Sequence, residues 1–321
     1  MRRPFTIQQV GLVLIYLGLG VVSALVWARV ADLARLPSWH AEMVGGYAPA
    51  PNQYRPLTPW IADLLRHIMP RGSLVGAYFT LRALVVGVTL VFFHRYARVW
   101  FVRPAAAAAA LCLAAILPFT YFKVVQESDP INLLVFVLAF WALAAGKDEW
   151  LFPLVAIGTL NRETTAMIPA LYLLARWREV SWGRLAAMTA GLAATWAVVF
   201  GGLLAYYGQR EYYCDVVMFW TNLGSWVPTV FLIALFGAMW VLAFLAAKTG
   251  PKMLTRALWL IPPYVALHYA IALVCEVRLF LPLAPIVIPL AWFVVFPEAR
   301  RNAPEPSQGP RRGRSRQLPR R

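Results

Sequence analysis

Leu74 to Phe93 reads LVGAYFTLRALVVGVTLVFF, twenty residues that carry one charge, Arg82. Roughly 20 apolar residues cover a bilayer core of about 30 Å, so this run predicts a membrane-spanning helix. The same rule finds seven more spans: Val10 to Trp27, Ala105 to Phe122, Ile131 to Ala145, Leu185 to Tyr207, Val227 to Ala247, Leu258 to Cys275 and Leu279 to Phe296. Composition agrees, at 61% hydrophobic and 14% charged with a mean hydropathy of +0.63, against about 25% charged in soluble domains. The expected fold class is an all-α polytopic membrane protein with about eight full transmembrane helices.

One stretch departs from that pattern. Between Leu151 and Trp177 two apolar runs of ten to thirteen residues flank Asn161-Arg162-Glu163-Thr164. Each is too short for an upright span, which predicts a re-entrant hairpin or broken helix over 151–177. The distribution of charge tests the layout, because Lys and Arg in short loops set orientation. With Met1 inside, the cytoplasmic segments collect twenty of the thirty Lys and Arg but only five of the fourteen Asp and Glu. The split requires the hairpin to return to the side it left and puts both termini in the cytoplasm. The net charge of +16 then reports topology, not nucleic-acid binding.

Residues 1–296 form the expected membrane-embedded domain, and 297–321 a basic, disordered cytoplasmic tail whose partner is the anionic lipid surface. No small-residue cleavage site follows the first apolar run, so that span is expected to remain in the mature protein. Cys112 and Cys275 sit in spans and Cys214 in an outer loop, which leaves no disulfide framework or CxxC metal site. A Gly-rich nucleotide motif is missing, which argues against a pump driven by ATP. The two halves contain no matching broken segments, which argues against a transporter built on inverted repeats.

The acids gather on the other side. The first outer loop, 28–73, is the only long connection between spans, and loops of that length are usually functional. Thr58-Pro59-Trp60 offers a hydroxyl N-cap before a proline at the first helical position. Trp60, Ile61, Leu64, Leu65 and Ile68 then share one face and Asp63, Arg66 and His67 the other, an amphipathic helix suited to the interface. Ahead of it lie Asp32, His40, Glu42, Tyr54 and Arg55.

Charges at membrane depth need partners or a function. An unpaired arginine near mid-span costs about 2.5–3.5 kcal/mol, so Arg82 pairs with an acid on a neighbouring helix, snorkels outward or binds phosphate. Arg162 and Glu163 are adjacent and do not face each other on a helix, so each needs its own partner. Glu276-Val277-Arg278 forms a turn ion pair or a site at the outer junction of the last two spans. Asp129-Pro130 suits an N-cap with a first-turn proline, and His268 a packed, hydrogen-bonded helix position. The many outer Trp and Tyr residues form an aromatic belt or, as the sharper alternative, stack on sugar.

These features together resemble the GT-C superfamily of integral-membrane glycosyltransferases, in its small bacterial type. Tyr54-Arg55-Pro56-Leu57-Thr58-Pro59-Trp60, Asn161-Arg162-Glu163-Thr164 and Glu276-Val277-Arg278-Leu279-Phe280-Leu281-Pro282 carry the likeness locally, and the architecture up to Phe296 carries it globally. The resemblance implies a multi-pass enzyme of the bacterial cytoplasmic membrane with its active face outward. Its partners would be a polyprenyl-phosphate sugar donor and an envelope glycan, lipid or protein acceptor. The catalytic base carried over by position is Glu42 or Asp32, in a loop that holds no adjacent acid pair. Inverting transfer also needs cationic groups at the departing phosphate, and Arg55, Arg82, Arg162 and Arg278 are the candidates, with His40, Tyr54, Asp129, Glu163 and Glu276 as further substrate contacts. No cofactor is called for, although an acid pair holding a divalent ion would be compatible with the chemistry. The alternative class is a non-catalytic flippase or envelope-polysaccharide assembly partner that binds polyprenyl lipid with the same arginines.

Overall fold

The computed structural model describes residues 7–69, 72–123, 127–213 and 215–300. The tail expected over 297–321 falls mostly outside them, as does Cys214. Every regular element among the described residues is helical. The order is α1 (Ile7–Val30), α2 (Leu36–Gly45), α3 (Leu57–Ile68), α4 (Leu74–Ala97), α5 (Arg103–Ile116), α6 (Ser128–Ala144), α7 (Leu151–Asn161) and α8 (Met167–Arg176). Then come α9 (Trp182–Tyr207), α10 (Phe219–Leu223), α11 (Val227–Phe236), α12 (Met239–Leu245), α13 (Lys252–Ala257), α14 (Ile261–Ile271) and α15 (Ala284–Val295).

The chain is a polytopic helical membrane protein, but eight full-length helical spans are not present among the described residues. Five helices are long and apolar enough to cross a bilayer: Ile7–Val30, Leu74–Ala97, Arg103–Thr120, Trp182–Tyr207 and Val277–Val295. Val227–Phe236 and Met239–Lys248 make a sixth only if they count as one span bent by 65°. The bend has a local cause, because Gly237 adopts a φ of +52° that ends α11. Ser128–Ala144 is 17 residues, at the short limit for a span. The run from Leu258 is divided by Pro262 and Pro263, which lack the amide hydrogens to continue an earlier turn, so α14 starts afresh there and lasts 11 residues.

α1 packs along α4. A Cβ on Gly20 would collide with the Ala83 carbonyl oxygen and lie 2.8 Å from the Gly87 nitrogen, so the two backbones touch there. Small residues are what allow such approach in lipid. Gly20→Ala forces the helices apart and lowers stability by about 1–3 kcal/mol, read as a drop in thermal unfolding midpoint in detergent.

The hairpin returns to the end from which it starts. Arg176 at the close of α8 holds Asp148, just before α7, at 2.5 Å, and Arg256 bridges to Glu179 at 2.8 Å beside them. At the break Arg162 is extended, with φ −164° and ψ 135°. Several polar groups around the break are satisfied inside the protein. Asn161 donates to the Ser128 carbonyl at 2.8 Å, Trp196 Nε1 donates to the Glu163 carbonyl at 3.1 Å, and Thr159 and Thr165 hydroxyls meet at 2.9 Å. Gly158 has no room for a side chain, since a Cβ would come within 2.6 Å of Thr165 Cγ2.

The amphipathic helix of the first connection is α3. Trp60, Leu64 and Ile68 face outward at 46%, 63% and 69% exposure, while Ile61 and Leu65 pack inward on the core. Its start differs from the sequence expectation. The helix begins at Leu57, and the Thr58 hydroxyl donates to Asn161 Oδ1 at 2.8 Å and caps nothing. That bond ties the loop to the hairpin break.

Candidate functional site

Four arginines and four acids converge where the first loop, the hairpin break and the starts of α6 and of the last span meet. Arg55 forks onto Glu163, with Nε 2.9 Å from Oε2 and Nη2 on the other oxygen. Arg162 binds Asp129, which also lies 3.5 Å from Arg278, and Arg278 in turn donates to Glu276 at 2.7 Å. Arg82 reaches Glu127 at 2.9 Å through Nη2 and at 3.2 Å through Nε. The adjacent pair Arg162 and Glu163 thus has two different partners on two different segments. Asp129 lies in the first turn of α6 and spends its carboxylate on arginines, so the capping role expected of it is not what it does.

Of the spaces lined by members of this network, two differ widely in size, and the size decides what each holds. Arg82, Glu127, Asp129 and Arg278 line a space of about 20 Å³, room for about one water. Arg82 there pairs with an acid, the first of its three expected fates, and its guanidinium lies 5.0 Å from the Trp27 ring and 4.9 Å from that of Tyr121. The second space is a cleft of about 300 Å³, in the range of small-molecule sites. Arg55, Arg162, Glu163 and Glu276 supply its charge, and Phe200 of α9 with Leu267 and Ile271 of α14 supply apolar wall. Tyr54 lines it too, with its hydroxyl donating to the Gly208 carbonyl at 2.8 Å and accepting from the Arg210 amide at 3.0 Å. Arg162 is 3% exposed, and its Nε is buried with no hydrogen-bond partner among the described residues. A buried donor left unmade is costly and draws an acceptor.

The first-loop acids stand elsewhere. Asp32 pairs with Arg35 at 3.4 Å, both well exposed, and Glu42 is half-buried, with neither acid lining the cleft. His40 is buried between α2, α3 and α4, where Nδ1 meets the Tyr78 hydroxyl at 3.0 Å and Nε2 lies 3.4 Å from Asp63. It fastens the loop to α4 and stays out of the cleft. Burial lowers its pKa below the usual 6.5, outweighing the opposing hydrogen bond and charge of Asp63. The folded form therefore binds fewer protons than the unfolded one, and loop docking is at full strength above pH 6.5 and weakens as pH falls below it. Hydrogen-exchange protection across 36–68, taken relative to the intrinsic rate at each pH, will fall on going from about pH 7.5 to about pH 5.5, less so in His40→Gln.

Sequence reading passed over Asp215, Tyr264 and the open face of His268, all of which line the cleft. Asp215 had a signal, an acid two residues after Tyr212-Tyr213 in an outer connection. Tyr264 and His268 had a weaker one, polar rings four apart in an apolar run, which places them on one helix face. Among the described residues no group of three His, Cys, Asp or Glu side chains is arranged to hold a metal ion. No protein-family model, curated protein or solved structure matches the chain.

Proposed function

We propose that the protein is a membrane glycosyltransferase of GT-C type, moving a sugar from a polyprenyl-phosphate donor to an envelope glycan, lipid or protein. One observation carries the reading: a 300 Å³ cleft that joins apolar and aromatic wall to two arginines, Arg55 and Arg162, each paired with an acid. That combination suits an amphiphile with an isoprenoid chain and a phosphate head, because a guanidinium fork matches phosphate oxygens and the wall accepts the chain. Tyr54, Tyr212 and Tyr213 at the cleft offer faces for a sugar ring.

The finer architecture belongs to the same proposal. α6, the bent α11–α12 pair and α13–α14 complete eight passes, the hairpin is re-entrant, and both termini lie in the cytoplasm of a bacterial inner membrane. Cysteine labelling at Ser38 from outside and at Lys147 from inside tests that orientation, and the reverse pattern would overturn it.

Activity is tested with purified protein in lipid, labelled polyprenyl-phosphate sugars and an envelope-lipid extract as acceptor. Transfer by the wild type and its loss in Arg162→Gln are expected. Donor binding without transfer across a broad panel would favour the non-catalytic lipid-handling protein, which needs the arginines but no proton acceptor.

A further inference from the structure

The cleft holds one basic side chain with an unengaged lone pair. His268 lines it and is buried, stacked on Tyr264 at 4.2 Å between ring centroids and 30° between planes, with Phe280 at 5.3 Å on its flank. Nδ1 lies 2.8 Å from the Tyr264 carbonyl oxygen. A carbonyl only accepts, so Nδ1 carries the proton and Nε2 is the acceptor nitrogen of a neutral imidazole. The ring's hydrogen bond among the described residues is made through Nδ1, which leaves Nε2 unengaged on the cleft side.

The acids of the cleft are less suited to take a proton. Glu163 is held by two bonds from Arg55, and Glu276 by one from Arg278 at 2.7 Å, so each carboxylate already spends its oxygens on a guanidinium. Asp215 is exposed, where water competes for its oxygens. His268 instead sits on a fixed ring, in a fixed tautomer, within the apolar wall.

Resting on the glycosyl-transfer reading, we propose that Nε2 of His268 is the proton acceptor for the attacking hydroxyl. The acceptor oxygen forms its bond to the sugar C1 while the bond from C1 to the donor phosphate oxygen breaks. The electron pair leaves with polyprenyl phosphate, and the hydroxyl proton passes to Nε2, giving an imidazolium that Nδ1–H still anchors on Tyr264.

His268→Asn and His268→Ala decide it in the labelled-donor assay, with Asp215→Asn beside them. Asparagine reproduces the Nδ1 donor to Tyr264 but has nothing at Nε2, so the Asn variant is expected to keep the wild-type melting midpoint and donor binding while losing about 10²–10⁴-fold in kcat. The Ala variant leaves space at the cleft, and added imidazole is expected to restore part of its rate. Wild-type kcat in His268→Asn overturns the assignment, as does a loss in His268→Ala that imidazole cannot restore and that tracks a fallen melting midpoint. Loss confined to Asp215→Asn moves the base to that carboxylate. No transfer by the wild type overturns the glycosyltransferase reading itself, and with it this role.

Discussion

Asp129→Leu is expected to cost the fold about 3–5 kcal/mol, because it removes one partner of a buried ion pair. Arg162 and Asp129 are 3% and 8% exposed, and Arg162 has no other hydrogen-bonded acid once the carboxylate is gone, since Glu163 is committed to Arg55. Arg278 suffers less, because Glu276 still accepts from it at 2.7 Å. The double variant Asp129→Leu with Arg162→Met replaces the pair by apolar volume, an exchange that is often neutral or stabilising. Unfolding in mixed detergent micelles will therefore show a large loss in the single variant and recovery in the double, while the double, which lacks the Arg162 cation, will bind donor weakly despite its recovered stability. A single variant as stable as the wild type would mean that water, not protein, surrounds the pair.

How far the fold was legible follows from what ends a helix. An apolar run long enough for a bilayer is a local property, and α1, α4, α5 and α9 were readable from it. Interruption within a run is not local in the same way. Gly237 and the Pro262-Pro263 pair are visible in the sequence, but both are tolerated in membrane helices, so composition alone left Val227 to Ala247 and Leu258 to Cys275 as single spans. The break between α7 and α8 was legible because Asn161-Arg162-Glu163 interrupts the apolar run, and Asp148 and Arg176 join the far ends of the two helices.

Charge made the need for partners visible, and distance hid who they were. Arg82 required an acid or an anion by its depth, yet Glu127 lies 45 positions away and only the packing of α4 on α6 brings the two together. Thr58 carried a genuine cap signature, but Asn161 competes for its hydroxyl, a tertiary contact across 103 positions. The acids of the first loop, nominated by the resemblance, are held near Arg35 or left outside the cleft, whereas Asp215 arrives there from a connection and His268 from α14, both far along the chain. A short polar residue in a long apolar run looks the same in sequence whether it packs blandly or opens onto a cleft. His268 does both, through different nitrogens.

The second large effect separates a phosphate site from a structural clamp by its sign. Glu163 occupies Nε and Nη2 of Arg55, the two donors best placed for bidentate recognition. A phosphate entering the cleft competes with that carboxylate for the same guanidinium. Arg55→Gln removes the cation, and hydrogen bonds to charged groups contribute about 1.5–3 kcal/mol, so binding of labelled undecaprenyl phosphate will weaken by about 10–100-fold. Glu163→Gln keeps the cation, removes the competing charge and lessens the repulsion felt by an incoming anion, so the same lipid will bind more tightly than it does to the wild type. Equilibrium binding to protein in nanodiscs reads both variants in one assay. If Glu163→Gln instead weakens binding as much as Arg55→Gln does, the pair serves only to hold the first loop on the hairpin. The anion would then be taken by Arg162, which lines the same cleft and whose buried Nε is without a partner among the described residues.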